Sequence, residues 1–480
     1  MLYGLKNVFY DIVQKYNVAI GEVLLMGVKN MTTGVLHKVI LKFAVPIFIG
    51  IFFQQFYTIA DAAIIGHILG VEAFAGVGSV NGMVFLVMNG CLGLGAGLSI
   101  MPAQSFGARN EAAFRQYAAG GIILCLLISV MLTAVGIIYI EDILLAMQTP
   151  ISILSYAYDY ILWIILGVPV TLLFNYASSM MRAVGDSCTP TLVLIKTALL
   201  NILLDIIFMG KLHMGVEGAA LATIMTQILA VMMCLRIIGK NLLWMVPSKT
   251  EFRTGFHVLI PLLVTAIPMG VQSSVIALGI IVLQVAVNGM GATVIAGVTA
   301  ADKLYGIVAC PIDSIAQSMA AFAAQHTGAG KIDRLHAGVK TALKLCLIAW
   351  LFLTGISFFG GSSLVSLFVD SGEKNVIFFG HWLLFSNVVG FCFLAFQETL
   401  SYTVQGMGYS RFALLAGLLE TVGRSAAAIL LTAKFGFAGI CLAVPLAWVL
   451  ADFLLIPLYA CCRQRLIDKG SYAINFKQCP

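Results

Sequence analysis

Two apolar stretches carry the residues best suited to chemistry. In NILLDIIF (201–208), Asn201 lies four residues before Asp205, and in QQFYTIAD (54–61), Tyr57 lies four residues before Asp61. A spacing of four puts both members of each pair on one helical face. A carboxylate in an apolar helix of this kind costs several kcal/mol, so it is retained for a use. Thr223 falls in a third apolar run at comparable depth. Two carboxylates with neutral oxygens around them suit a hard monovalent cation, or a proton shared between the acids. The competing reading is a set of hydrogen bonds that merely ties helices together. The lack of a basic residue at the same depth argues against it.

These residues need a membrane to make sense, and composition supplies one. Of the 480 residues, 61% are hydrophobic and 10% charged, and the mean hydropathy is +1.02. Soluble domains are about half apolar and about a quarter charged. Apolar runs of roughly 20 residues, each long enough to cross ~30 Å of hydrocarbon, recur along the chain. Spans are expected near 39–66, 80–105, 117–140, 154–180, 190–210 and 215–237. A second set is expected near 257–288, 303–325, 339–359, 377–402, 412–433 and 437–461. The fold class is an all-α polytopic membrane protein of twelve transmembrane helices. Residues 1–35 carry charge throughout, lack the apolar core of a cleavable signal, and read as a cytoplasmic segment, either an amphipathic helix in the interface or a partly ordered tail.

With the N-terminus in the cytoplasm, most lysines and arginines fall on the inner side. Only Lys211, Lys303, Lys374 and Lys434 lie in outer segments, and Lys196 and Arg424 lie within spans. The positive-inside rule therefore places both termini in the cytoplasm of a cell membrane. The net charge of +6 follows from this asymmetry and needs no nucleic-acid partner. In this topology Asp61, Asp205 and Thr223 lie ~9–13 Å below the outer surface, at 1.5 Å per residue.

The chain also repeats itself. At an offset of 221 residues GVEAFAGV (70–77) overlies GATVIAGV (291–298), and GVEGAALA (215–222) overlies GFAGICLA (436–443). The same offset pairs Gln104 with Gln325 and Gly107 with Gly328. Six spans per copy is an even number, so the repeat is parallel and its pseudo-twofold runs along the membrane normal. The expected lobes are 36–239 and 257–461, with a cytoplasmic linker at 240–256 and a cytoplasmic tail at 462–480. The second half lacks the first half's acid pair. Val422 and Ala426 stand opposite Asn201 and Asp205, while Asp313, Glu398, Glu420, Arg424 and Asp452 occupy its spans. Glu420 and Arg424 have the spacing of an internal ion pair. Glu398 and Glu420, with Gln54, Gln55 and Gln272, are candidates for contacting substrate. Pro46 interrupts span 1 and permits a kink. Gly93 and Gly97 have helix-packing spacing.

Other mechanisms find little support. GAGKI (328–332) lacks the leading glycine and the Ser/Thr of a phosphate loop. The seven histidines form no metal-binding pair, and no cofactor or metal is expected beyond Na⁺ as a coupling ion. A flippase for lipid-linked sugars, on a related fold, is the nearest rival.

The chain resembles the multidrug and toxic compound extrusion (MATE) family over about residues 36–460. The resemblance is carried by PIFIGIFFQQFYTIADAAIIGHILG (46–70), SFGARN (105–110), MRAVGDSCTP (181–190) and NILLDIIF (201–208). It implies a V-shaped bundle that alternates between outward- and inward-open states. It also implies export of organic, often cationic, compounds by a monomer, driven by inward Na⁺ or H⁺. The family's cation site matches Asp61, Tyr57, Asn201, Asp205 and Thr223, and its kinkable span-1 proline matches Pro46.

Overall fold

The computed structural model describes residues 30–476 apart from 148, 149, 254, 370 and 371. The interfacial reading of the leader thus falls almost wholly outside the described residues. Those described form helices and connecting turns, with no strand among them. Hydrocarbon imposes this result, because a helix satisfies every backbone polar group within its own segment.

The first half contains α1 (Leu36–Leu69), α2 (Val71–Ser79), α3 (Asn81–Leu98), α4 (Ile100–Gly107) and α5 (Glu111–Ala146). It continues with α6 (Ile151–Leu166), α7 (Val168–Ala183), α8 (Cys188–Asp205) and α9 (Val216–Asn241). The second half holds α10 (Phe256–Asn288), α11 (Ala292–Val308), α12 (Cys310–Gly328), α13 (Ile332–Val365), α14 (Lys374–Gly406), α15 (Ser410–Phe435) and α16 (Phe437–Phe476). Ten helical segments among the described residues are long and apolar enough to cross a membrane. Two further pairs, α6 with α7 and α11 with α12, are each bent by 47° and bring the total to twelve.

The helices overrun the apolar stretches that announce them. The span expected at 303–325 begins at Ala292, because Asp302 and Lys303 sit exposed on the surface of α11 without interrupting it. Lys303 therefore belongs to a helix and not to an outer loop. Likewise the tail expected from 462 continues α16 to Phe476. A charge ends an apolar run but leaves the backbone ladder intact.

The repeat recurs in backbone geometry. Gly70 and Gly291 turn the chain with φ of 86° and 93°, and Arg109 and Gly330 with φ of 57° and 68°. Each pair is 221 residues apart. Only a residue without Cβ adopts such φ values freely, so Arg109 holds a turn that favours glycine.

The first helix of each half crosses to the other half. The opening part of α1 (Ile40, Phe43, Ala44, Ile47) is buried among residues of α12, α13 and α14. The opening part of α10 (Val258, Leu262, Ala266) is buried among residues of α3, α5 and α7. Gly93 and Gly97 make the second crossing possible. A Cβ on Gly97 would meet the Ala266 Cα at 2.4 Å, and one on Gly93 the Met269 carbonyl oxygen at 2.5 Å. Pro46 and Pro268 lie inside α1 and α10 where each passes between halves.

Candidate functional site

Helices α1, α8 and α9 bring the polar residues of the first half together. The Tyr57 hydroxyl lies 3.4 Å from Thr223 Oγ1, which itself donates to the Ala219 carbonyl at 3.1 Å. The Asn201 amide fits with its nitrogen donating to Asp205 Oδ2 at 2.9 Å and its oxygen accepting from the Thr223 N–H at 3.1 Å. Asp205 is completely buried and Asn201 nearly so. The Asp61 and Asp205 carboxyls approach each other within hydrogen-bonding reach. Each has a buried Oδ1 with no donor. Two facing carboxylates with unsatisfied oxygens repel unless something positive lies between them. A proton or a small cation meets that need, and among the described residues no lysine, arginine or histidine is ion-paired to either acid.

Two features of this cluster leave no mark in the sequence. Tyr160, from α6, is buried within electrostatic reach of both carboxyls. It stands in an ordinary apolar-aromatic run, YAYDYILW (156–163), with nothing to set it apart. The second feature follows Asp205, where α8 widens into a π-helical turn over Ile206–Lys211. Such turns gather at functional positions because they re-aim side chains without ending the helix.

A separate cavity of about 130 Å³ lies between the two halves. Phe43, Ile47, Gly93 and Arg182 from the first half face Gln272, Glu398, Tyr402 and Gln405 from the second. Gln272 Nε2 donates to Ser401 Oγ at 3.1 Å, and Gln405 Nε2 donates to Gln272 Oε1 at 2.9 Å, which fixes the polar wall. Of the candidate substrate contacts, Gln272 and Glu398 line this cavity and Gln54, Gln55 and Glu420 do not. Gln54 is exposed on α1, whereas Gln55 lies against Gly306 of α11. Glu420 is buried, ion-paired with Arg424, and accepts from Gln397 Nε2 at 3.0 Å.

The cavity and the acid cluster share α1. Phe43 and Ile47 line the cavity, and the same helix carries Tyr57 and Asp61 roughly three to five turns further on. Pro46 falls within the cavity-lining stretch, between Phe43 and Ile47. Its ring removes one intrahelical N–H, and its carbonyl accepts from Thr191 Oγ1 of α8 at 3.0 Å.

At one end the cavity is shut by matching parts of the two halves. Gln104 Nε2 donates to the Gly406 carbonyl at 3.0 Å, and Gln325 Nε2 to the Ala183 carbonyl at 2.8 Å. Gly107 and Gly328 let the backbones touch. A Cβ on Gly107 would lie 2.0 Å from the Gln325 carbonyl oxygen, and one on Gly328 1.8 Å from that of Gln104.

Comparison with known proteins agrees with this architecture. The MatE family model matches residues 46–207 and again 268–430, one match in each half. A protein of Bacillus subtilis described as a probable multidrug resistance protein is 26% identical over 373 residues, covering 76% of this chain and 80% of its own length. A Shewanella oneidensis protein described as an FAD transporter is 24% identical over 355 residues, covering 72% of this chain and 76% of its own. Among solved structures, the outward-facing form of a multidrug resistance MATE transporter superposes with a TM-score of 0.85 at 20% identity. That match covers 92% of this chain and 99% of the other.

Proposed function

The chain belongs to the MatE family, and on that footing we propose that it is a secondary active exporter of small organic molecules from the cell. It moves them in antiport with inward Na⁺ or H⁺. Relatives named for multidrug resistance and for FAD transport support small organic cargo. With the basic residues facing the cytoplasm, both termini are cytoplasmic and the shut end of the cavity is the inner one. That corresponds to an outward-facing state.

The observation that carries this reading is that Asp61, whose carboxyl faces that of Asp205 on α8, stands on α1, the helix that also lines the cavity. The ion occupies the acid cluster as cargo, held by the two carboxyls with Asn201, Tyr57 and Thr223 around them. When it binds, repulsion between the acids falls and α1 can draw toward α8. Such a movement pivots at Pro46 and shifts the part of α1 from Ile47 onward relative to Phe43, which reshapes the cavity wall they form. Ion and substrate sites are distinct, so their competition is a coupling free energy carried by α1.

Purified protein in vesicles, given a Na⁺ gradient or a pH gradient separately, tests the proposal. Efflux of a fluorescent cation such as ethidium should follow one gradient and fall at least tenfold in Asp61→Asn and in Asp205→Asn, with both variants still inserted and monodisperse. Efflux that ignores both gradients, or full coupled activity in both variants, overturns it.

A further inference from the structure

Arg424 and Arg182, each in a helix of the bundle, are in opposite situations. Arg424 is paired with Glu420 and does not line the cavity. Arg182, one residue before the end of α7, lines the cavity and has no carboxylate within ion-pair distance among the described residues. Its one hydrogen bond to another side chain among the described residues goes to Ser179 Oγ, at a long 3.4 Å. It does not serve as a helix cap either. The Ala183 carbonyl is taken by Gln325, and those of Met181 and Arg182 by backbone N–H groups of the following turn. Across the same cavity Glu398 also has no ion pair or side-chain hydrogen bond among the described residues, and the two charges lie too far apart to pair with each other.

From this arrangement we propose that Arg182 binds an anionic oxygen group of the substrate, a carboxylate or a phosphate. Glu398 on the facing wall then accepts a cationic or hydrogen-donating part of the same molecule. This rests on the export reading and narrows its cargo from small organic molecules to those that carry an anionic group. A planar guanidinium presents parallel N–H donors that match two oxygens of either group, which an ammonium or a neutral amide does not. Arg182 is half-buried, and a charge partly withdrawn from solvent without a partner is costly, so a ligand oxygen supplies the partner the protein withholds. Glu398, one turn before Tyr402 and flanked by Gln405 and Gln272, offers the complementary wall.

Matched pairs of probes, differing only in the anionic group, provide the test. A zwitterionic fluoroquinolone is compared with its methyl ester, and riboflavin 5′-phosphate with riboflavin. Binding is measured by fluorescence on the full chain in lipid nanodiscs. The wild type should prefer the acid of at least one pair by tenfold or more. The fluoroquinolone pair reports a carboxylate and the flavin pair a phosphate. Arg182→Gln should erase the preference while leaving ester or riboflavin binding within twofold, and Arg182→Lys should restore part of it. Equal wild-type binding of acid and neutral partner in both pairs overturns the inference. So does a loss in Arg182→Gln that is the same for both members, since that marks a role in folding. If ion gradients drive ethidium efflux but no acid preference exists, this inference fails and the export reading stands. If the preference exists but no gradient moves any probe, the export reading fails and the anion site stands.

Discussion

At the level of single residues, the buried charges divide into those that hold the fold and those held ready for something mobile. Glu420 and Arg424 belong to the first kind, with side chains 4% and 8% exposed. Removing one member of a buried pair strands the other, at a cost of about 3–5 kcal/mol, whereas replacing both costs little. Arg424→Met should therefore lower the thermal transition in detergent markedly, and the double change with Glu420→Gln should recover most of the loss. If the single variant melted like wild type but bound cationic probes less well, the pair would be a substrate contact after all. Spacing alone made this pair legible, as it did Tyr57 with Asp61 and Asn201 with Asp205. Each is an i, i+4 relation that a helix turns into proximity. That the three helices bearing Asp61, Asp205 and Thr223 share one depth followed from counting residues from the span ends. Tyr160 was not legible, because its contact with the acids depends on how α6 packs. The partnerless state of Arg182 is equally invisible in sequence, since it is a fact about what surrounds the residue.

Among the elements, α1 has to be stable as one helix of 34 residues and yet able to bend. Pro46 weakens it by removing an N–H, and the Thr191 hydroxyl on the Pro46 carbonyl steadies it from α8. A neutral hydrogen bond of this kind contributes about 1 kcal/mol, which corresponds to roughly fivefold in a rate. Thr191→Val, which keeps the shape and loses the bond, should raise turnover by up to that factor. Pro46→Ala, which restores the missing N–H, should lower it by a similar factor. In both, ion binding measured at equilibrium should stay within twofold of wild type. Wild-type turnover in the two variants would take bending of α1 out of the transport cycle. The apolar pattern located α1 to within three residues at either end, because hydrocarbon demands both length and hydrophobicity. It did not foresee the π-helical turn after Asp205. That turn arises from a one-residue shift in the hydrogen-bond ladder that no residue type there imposes.

Across the whole molecule, duplication explains why one end of the cavity closes so well. The 221-residue repeat was readable from the sequence, including Gln104 with Gln325 and Gly107 with Gly328. What could not be read was that these residues meet each other across the pseudo-twofold. Nor was the crossing of α1 and α10 into the opposite halves readable, because periodicity shows which face is apolar and not which neighbour covers it. The contact is reciprocal. Each glycine lies against the backbone of the other half's glutamine, and each glutamine side chain caps a helix end of the other half. A side chain added to either glycine therefore acts on both halves at once. A Cβ at 2.0 Å from a carbonyl oxygen cannot be absorbed by rotating a side chain, since its obstacle is backbone, so the two segments must separate. Gly107→Val should accordingly speed amide hydrogen exchange around Gln325 and Gly328, more than two hundred residues away in sequence, as well as near its own position. Gly328→Val should do the same around Gln104. Exchange in the cores of α14 and α16 should be unchanged in both. If exchange rose only beside the substituted glycine, the two halves would not be holding each other shut there. A rise across the entire chain would mean that the glycines support folding and do not act as a seal.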